Sequence, residues 1–140
     1  MKSILVDTGP LVAIINPRDA QHAACGAYAA NLTAPMLTTW PVITEAAWLL
    51  RKKPDDVRAL FKMIANRDLQ IAPLSADAAD WFDRFFEKYA DQQPQLADAS
   101  LVYQAEVSGI HDVFTIDLRD FSVYRTSDGA SLTIHPGTAE

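Results

Sequence analysis

Four short apolar stretches punctuate this chain, and none of them keeps a polar–apolar alternation: 3–6, Met36–Thr39, Leu69–Leu74 and Val113–Ile116. A strand with one wet face would alternate; strands without that pattern are covered on both faces, as in a parallel sheet under helices. A last short strand is expected at Ser131–His135. Helical segments separate the strands. Thr8 is read as an N-cap, with Pro10 in the first turn, where its missing N–H has no partner, and Leu11–Ile15 run on until Asn16-Pro17. Asp19 is read as the next cap, before QHAACGAYAANL. PVITEAAWLLRKK places cations at its last turn, which suits the helix dipole. Val57, Leu60, Phe61 and Ile64 share one face of the following helix. Ser75 caps ADAADWFDRFFEKYA, with Ala78, Trp81, Phe82, Phe85 and Phe86 as its apolar stripe. After the loop DQQPQ, LADASLVYQAEVS is a helix closed by Gly109. Strands alternating with helices predict an α/β fold with a mostly parallel sheet, as one domain over 1–140.

Composition narrows the function classes. With 49% hydrophobic and 21% charged residues the chain is globular rather than disordered. Its net charge of −6 argues against a nucleic-acid binder that relies on a broad basic surface. It leaves room for an enzyme whose acids sit under divalent cations. The single cysteine, Cys25, forms no intrachain disulfide and fits a reducing compartment. The amino-terminal apolar run is cut at Asp7, too short for a signal peptide, and no run reaches the length of a membrane span. A cytoplasmic protein is expected.

Four carboxylates stand where a soluble fold has least use for them. Asp7 closes ILV and Asp117 closes VFTI; in an open α/β sheet functional groups gather beyond the strands' carboxyl ends. Glu45 interrupts an apolar helical run and Asp98 lies inside LADASLV, both from helices able to flank that edge. Bare anions cannot share a small cleft without raising one another's pKa. A hard divalent cation such as Mg²⁺ or Mn²⁺ resolves the conflict, and hydrolysis of a phosphate ester is the chemistry it implies. Each acid also has an ordinary reading. Asp7 can be a turn residue, Asp98 and Asp117 acids at helix starts, and Glu45 an exposed position. Asp7-Thr8-Gly9 is also the triplet of aspartic proteases. Here it leads straight into a helix, and the chain has no second such triplet.

Taken in series, LVDTGPLVAIINPRDAQH, LTTWPVITEAAWLLR, LADASLVYQAE and VFTIDLRDFSVYR resemble the PIN-domain nucleases, most closely the VapC-type ribonuclease toxins of toxin–antitoxin pairs. The resemblance spans essentially the whole chain. It implies a three-layer α/β/α sandwich and a Mg²⁺- or Mn²⁺-dependent endoribonuclease acting on RNA, with an antitoxin protein as partner and a homodimer as the assembly. Asp7 and Asp98 match the principal metal ligands, and Glu45 and Asp117 complete the ring directly or through water. Thr115 matches a hydroxyl position near the site, while Thr8 and Thr44 adjoin the acids and are expected to orient them. Arg18, Arg119 and Arg125 are the candidate RNA contacts.

One position departs from the family pattern. Relatives often carry a further acid three residues before the third one, and here that position is Gln95. The departure leaves open a non-catalytic interaction module on the same scaffold. Asp120 is read as a surface or capping residue rather than a substitute. Trp40, Trp48 and Trp81 are read as core or interface, and the helix from Asp80 to Tyr89 as a possible apolar dimer face. Arg51-Lys52-Lys53 is read as a helix terminus. His22 and Cys25 lack the further donors a zinc site needs.

Overall fold

The computed structural model describes residues 1–137. Five parallel strands form one sheet in the order β3-β2-β1-β4-β5: β1 Ile4–Val6, β2 Met36–Thr38, β3 Leu69–Ile71, β4 Asp112–Phe114 and β5 Thr133–His135. Helices α1 (Thr8–Ile15) and α2 (His22–Asn31) link β1 to β2, and α3 (Trp40–Leu49) and α4 (Pro54–Ala65) link β2 to β3. The return to β4 runs through α5 (Ala79–Lys88) and α6 (Leu96–Ser108), and α7 (Leu118–Phe121) follows β4. Successive strand side chains point to opposite faces. Ile4, Leu5 and Val6 are nonetheless all fully buried, so helices cover both faces of the central strand and the α/β/α expectation holds.

Several boundaries move. The third strand ends at Ile71 rather than Leu74, and the fourth starts at Asp112 and stops at Phe114, leaving Thr115 and Ile116 beyond the pairing. Thr8 does not cap α1. It is the first helical residue, and Asp7 is the cap, its carboxylate accepting from the Thr8 N–H at 2.8 Å. Asp19 does not cap α2 either. That cap is Gln21, and Asp19 accepts from the Gln21 N–H within the preceding turn. Ser75 caps a short 3₁₀ turn, Ala76–Ala78, that leads into α5. The stripe on α5 packs inward: Trp81, Phe85 and Tyr89 are buried, Phe85 lies 5.2 Å from the Trp81 ring, and Tyr89 stacks edge-on to buried Tyr124. That face packs on the core, while Phe82 and Phe86 stay half-buried beside it. Trp40 and Trp48 are instead 52% and 63% exposed, and Trp81 alone of the three is core.

Gly9 answers to close packing. A Cβ there would stand 2.7 Å from Cγ1 of Ile116, so only glycine lets α1 leave β1 past the end of β4 with that side chain in place.

Candidate active site

The chain turns from one flank of the sheet to the other between β1 and β4, and the acids collect at the carboxyl ends of these neighbours. Asp7, one residue past β1, is 7% exposed. Its Oδ1 accepts from the Thr8 N–H and its Oδ2 from the Thr115 hydroxyl at 2.8 Å. The Thr115 Oγ1 in turn accepts from the Asp117 N–H at 2.9 Å. Asp117 caps α7, accepting from the Asp120 N–H at 3.0 Å. One buried hydroxyl thus couples the acid after β1 to the acid after β4.

The two helical acids arrive by a second set of bonds. Thr39 Oγ1 and Ser100 Oγ lie 2.6 Å apart, both buried, and tie the start of α3 to the start of α6. The Thr38 hydroxyl donates to the Val6 carbonyl at 2.7 Å, fixing the end of β2 beside the end of β1. These bonds set Glu45 and Asp98 on the same rim as Asp7. Tyr124 donates from its hydroxyl to Asp98 Oδ2 at 3.2 Å. Thr38, Thr39, Ser100 and Tyr124 were not singled out from sequence. Their signal, polar groups inside apolar segments, becomes legible only once burial is known.

The carboxylates feel one another. Burial, then the neighbouring charges of Asp98 and Glu45, hold the Asp7 carboxyl up at about 7 against the pull of its two hydrogen bonds. Burial raises Asp98 to about 6, opposed by the Tyr124 hydroxyl and reinforced by Glu45, Asp117 and Asp120. Glu45 and Asp120 are also raised, by burial first. Burial and the adjoining acids push the Tyr124 hydroxyl up as well. No lysine or arginine forms an ion pair with any of these acids among the described residues.

Ligand atoms of Asp98, Asp117 and Asp120 lie within 4.8 Å of one another, all half-buried. Asp7 and Glu45 stand outside that tight group but within range of its charges. Asp117 rather than Asp120 caps α7, and a carboxylate oxygen of Asp120 joins the group. It offers the charge that Gln95 does not; Gln95 is exposed at the start of α6, with no capping bond from its side chain. Thr8 keeps a buried hydroxyl with no hydrogen-bond partner. Its hydroxyl lies near enough to Glu45 to favour the ionised carboxylate without the geometry of a full hydrogen bond. Thr44 lines the groove beside Glu45, exposed, and its hydroxyl donates back to the Trp40 carbonyl at 3.0 Å rather than to an acid. Arg18 and Arg119 are exposed, while Arg125 is half-buried and held by the carbonyls of Ser122 and Tyr124.

A half-buried, all-oxygen anionic cluster without an ion-pair partner has the donor chemistry for a hard divalent cation. A parallel α/β/α sheet with such a cluster at its switch point defines a class of metal-dependent nucleases. The PIN domain family model matches residues 4–126, and the chain belongs to that family. It is similar to Ribonuclease VapC26 of Mycobacterium tuberculosis (strain ATCC 25618 / H37Rv), with 26% identity over 135 residues, 95% of this chain and 100% of that protein. Its fold matches the crystal structure of Mycobacterium tuberculosis VapC20, described as a Sarcin-Ricin loop cleaving toxin. There the TM-score is 0.76 at 20% identity, over 84% of this chain and 92% of the other. Divalent metals are general in this family. No helix among the described residues is long and apolar enough to cross a membrane.

Proposed function

We propose that this chain is a divalent-metal-dependent endoribonuclease that hydrolyses RNA phosphodiesters, the toxin of a toxin–antitoxin pair, working as a homodimer in the cytoplasm. The observation that carries the catalytic reading is the convergence of Asp7, Glu45, Asp98, Asp117 and Asp120 on one rim, with no ion pair to any of them among the described residues. Asp98, Asp117 and Asp120 would hold Mg²⁺ or Mn²⁺, with Asp7 and Glu45 binding directly or through water. Bound there, the cation would supply Lewis acidity, easing deprotonation of a water and stabilising charge on the phosphoryl oxygen.

The chain's own groups do the rest. Thr115 fixes the rotamer of Asp7 by donating to Oδ2, and Asp7 keeps a free lone pair on each oxygen for the cleft. Tyr124 does the same for Asp98. Glu45, the acid beside the exposed groove of about 500 Å³ lined by Trp40 and Trp48, is placed to accept a proton from the attacking water. The parallel sheet offers no second Asp-Thr-Gly loop opposite Asp7, which removes the protease reading.

The test is cleavage of single-stranded RNA by the purified chain with Mn²⁺, then with EDTA. Cleavage is expected only with the metal, and Asp98→Asn should abolish it while the chain stays folded by circular dichroism. Cleavage that persists in EDTA would overturn the reading.

A further inference from the structure

Three cations converge on one cavity away from the acids. Arg84 and Lys88, one turn apart on α5, and Arg125, after α7, line a space of about 220 Å³ with Trp81, Tyr89 and Ser127. In a chain of net charge −6, this pocket has a charged lining that is entirely basic. None of the three forms an ion pair among the described residues. The acids of α5, namely Asp80, Asp83 and Glu87, do not line the space. The nearest acid that touches the pocket wall, Glu106, is already engaged. It accepts from the Trp81 indole at 3.0 Å and from the Ser127 N–H at 2.6 Å.

The pocket is also built rather than incidental. The Tyr89 hydroxyl accepts from the Arg125 N–H at 2.8 Å, and one guanidinium nitrogen of Arg125 is fixed by the Ser122 and Tyr124 carbonyls. That leaves the other guanidinium donors free. Unpaired cations held this close repel one another, and an anion in the space between them would relieve that repulsion. Arginine suits phosphate, whose oxygens match its forked donors. The aromatic wall of Trp81 and Tyr89 suits a planar base attached to it.

We propose that the Arg84–Lys88–Arg125 pocket binds a phosphate group of a nucleotide, supplied by the RNA strand whose cleavage site lies at the acids. The choice of strand over free nucleotide rests on the ribonuclease reading above. It also rests on the link between the two places: Arg125 directly follows Tyr124, the residue that donates to Asp98. The pocket holds the strand at a phosphate away from the cut and so sets which bond reaches the acids. Because this pocket gathers three cations, removing them should lower the salt dependence of RNA binding, with the Lys52–Lys53 surface left as the remaining basic contact.

Two arms test it with the whole chain and Arg84→Gln/Lys88→Gln. Binding of a single-stranded RNA oligonucleotide is measured in EDTA across a salt series. Binding of uridine monophosphate is measured by calorimetry at low salt. Expected for the strand is a log–log salt slope smaller by about 0.7 in the double variant, the change for one lost phosphate contact on a single strand. Loss of uridine monophosphate binding with an unchanged RNA slope would assign the pocket to free nucleotide instead. If neither ligand binds the wild type, or the variant alters neither, the phosphate site is overturned. Failure of the wild type to cleave RNA with Mn²⁺, with nucleotide binding intact, would sink the ribonuclease reading and leave the pocket standing. A melting curve of the variant matching the wild type excludes misfolding, and Arg125→Gln gives an independent third contact.

Discussion

Replacing Asp7 by Asn should stabilise the metal-free protein while ending its chemistry. Asp7 is 7% exposed, and burial holds its carboxyl at about 7 rather than 3.8. Ionising it inside the fold therefore costs about 4 kcal/mol more than in the unfolded chain, at 1.36 kcal/mol per tenfold in proton affinity. A carboxyl whose pKa is raised by folding disfavours the native state as pH climbs. The penalty is absent below pH 3.8, grows up to about pH 7 and is constant above it. Asparagine carries no such penalty. It keeps an acceptor for the Thr8 N–H, but its NH₂ group meets the Thr115 hydroxyl, whose bonds must rearrange at a cost of about 1–2 kcal/mol. The net gain at pH 8 is about 2 kcal/mol, a melting temperature higher by about 5–10 °C for a domain of this size. The assay is thermal denaturation followed by circular dichroism in EDTA, from pH 5 to pH 8, for both proteins. The gap should widen with pH up to about 7, and Mn²⁺ should raise only the wild-type curve. A variant that melts below the wild type at pH 8, or a gap independent of pH, would refute the claim that Asp7 is held ionised against its environment.

Thr115→Val should leave Asp7 Oδ2 and the Asp117 N–H unpaired, costing about 1–3 kcal/mol in urea denaturation and lowering RNA cleavage. Asp120→Asn should cut cleavage and weaken Mn²⁺-induced stabilisation, as read by a thermal shift; activity at the wild-type level would return Asp120 to the surface. Phe114→Ala, at a fully buried position against the Tyr28 ring, should cost about 3–5 kcal/mol in the same urea assay.

The parts of the molecule set by short-range rules were readable from the sequence. ILV has no position for a wet face, so β1 and its burial follow, and the acid after it must stand at a strand end. VFTI with Asp117 repeats the logic. What depends on helix rotation was not readable. Glu45 proves half-buried at the rim, while the Thr44 hydroxyl beside it bonds back to its own helix, a difference that no single-chain pattern fixes. The same uncertainty hid the outward turn of Trp40 and Trp48 and the pairing of Arg84 with Lys88 across one face of α5. Asp120 was missed for another reason. Its place in the cluster depends on α7, four residues long, whose start is fixed by the Asp117 side chain itself.

The bond from Thr115 to Asp7 spans 108 positions of chain. A ribosome adds residues in order, so β1 and its acid emerge long before β4 can settle beside them. Until that late strand docks, Asp7 has no hydroxyl to fix it, and Asp98, Asp117 and Asp120 have not met. The acids therefore come together only when synthesis of the sheet is nearly done, and the cluster cannot form on a partly made chain.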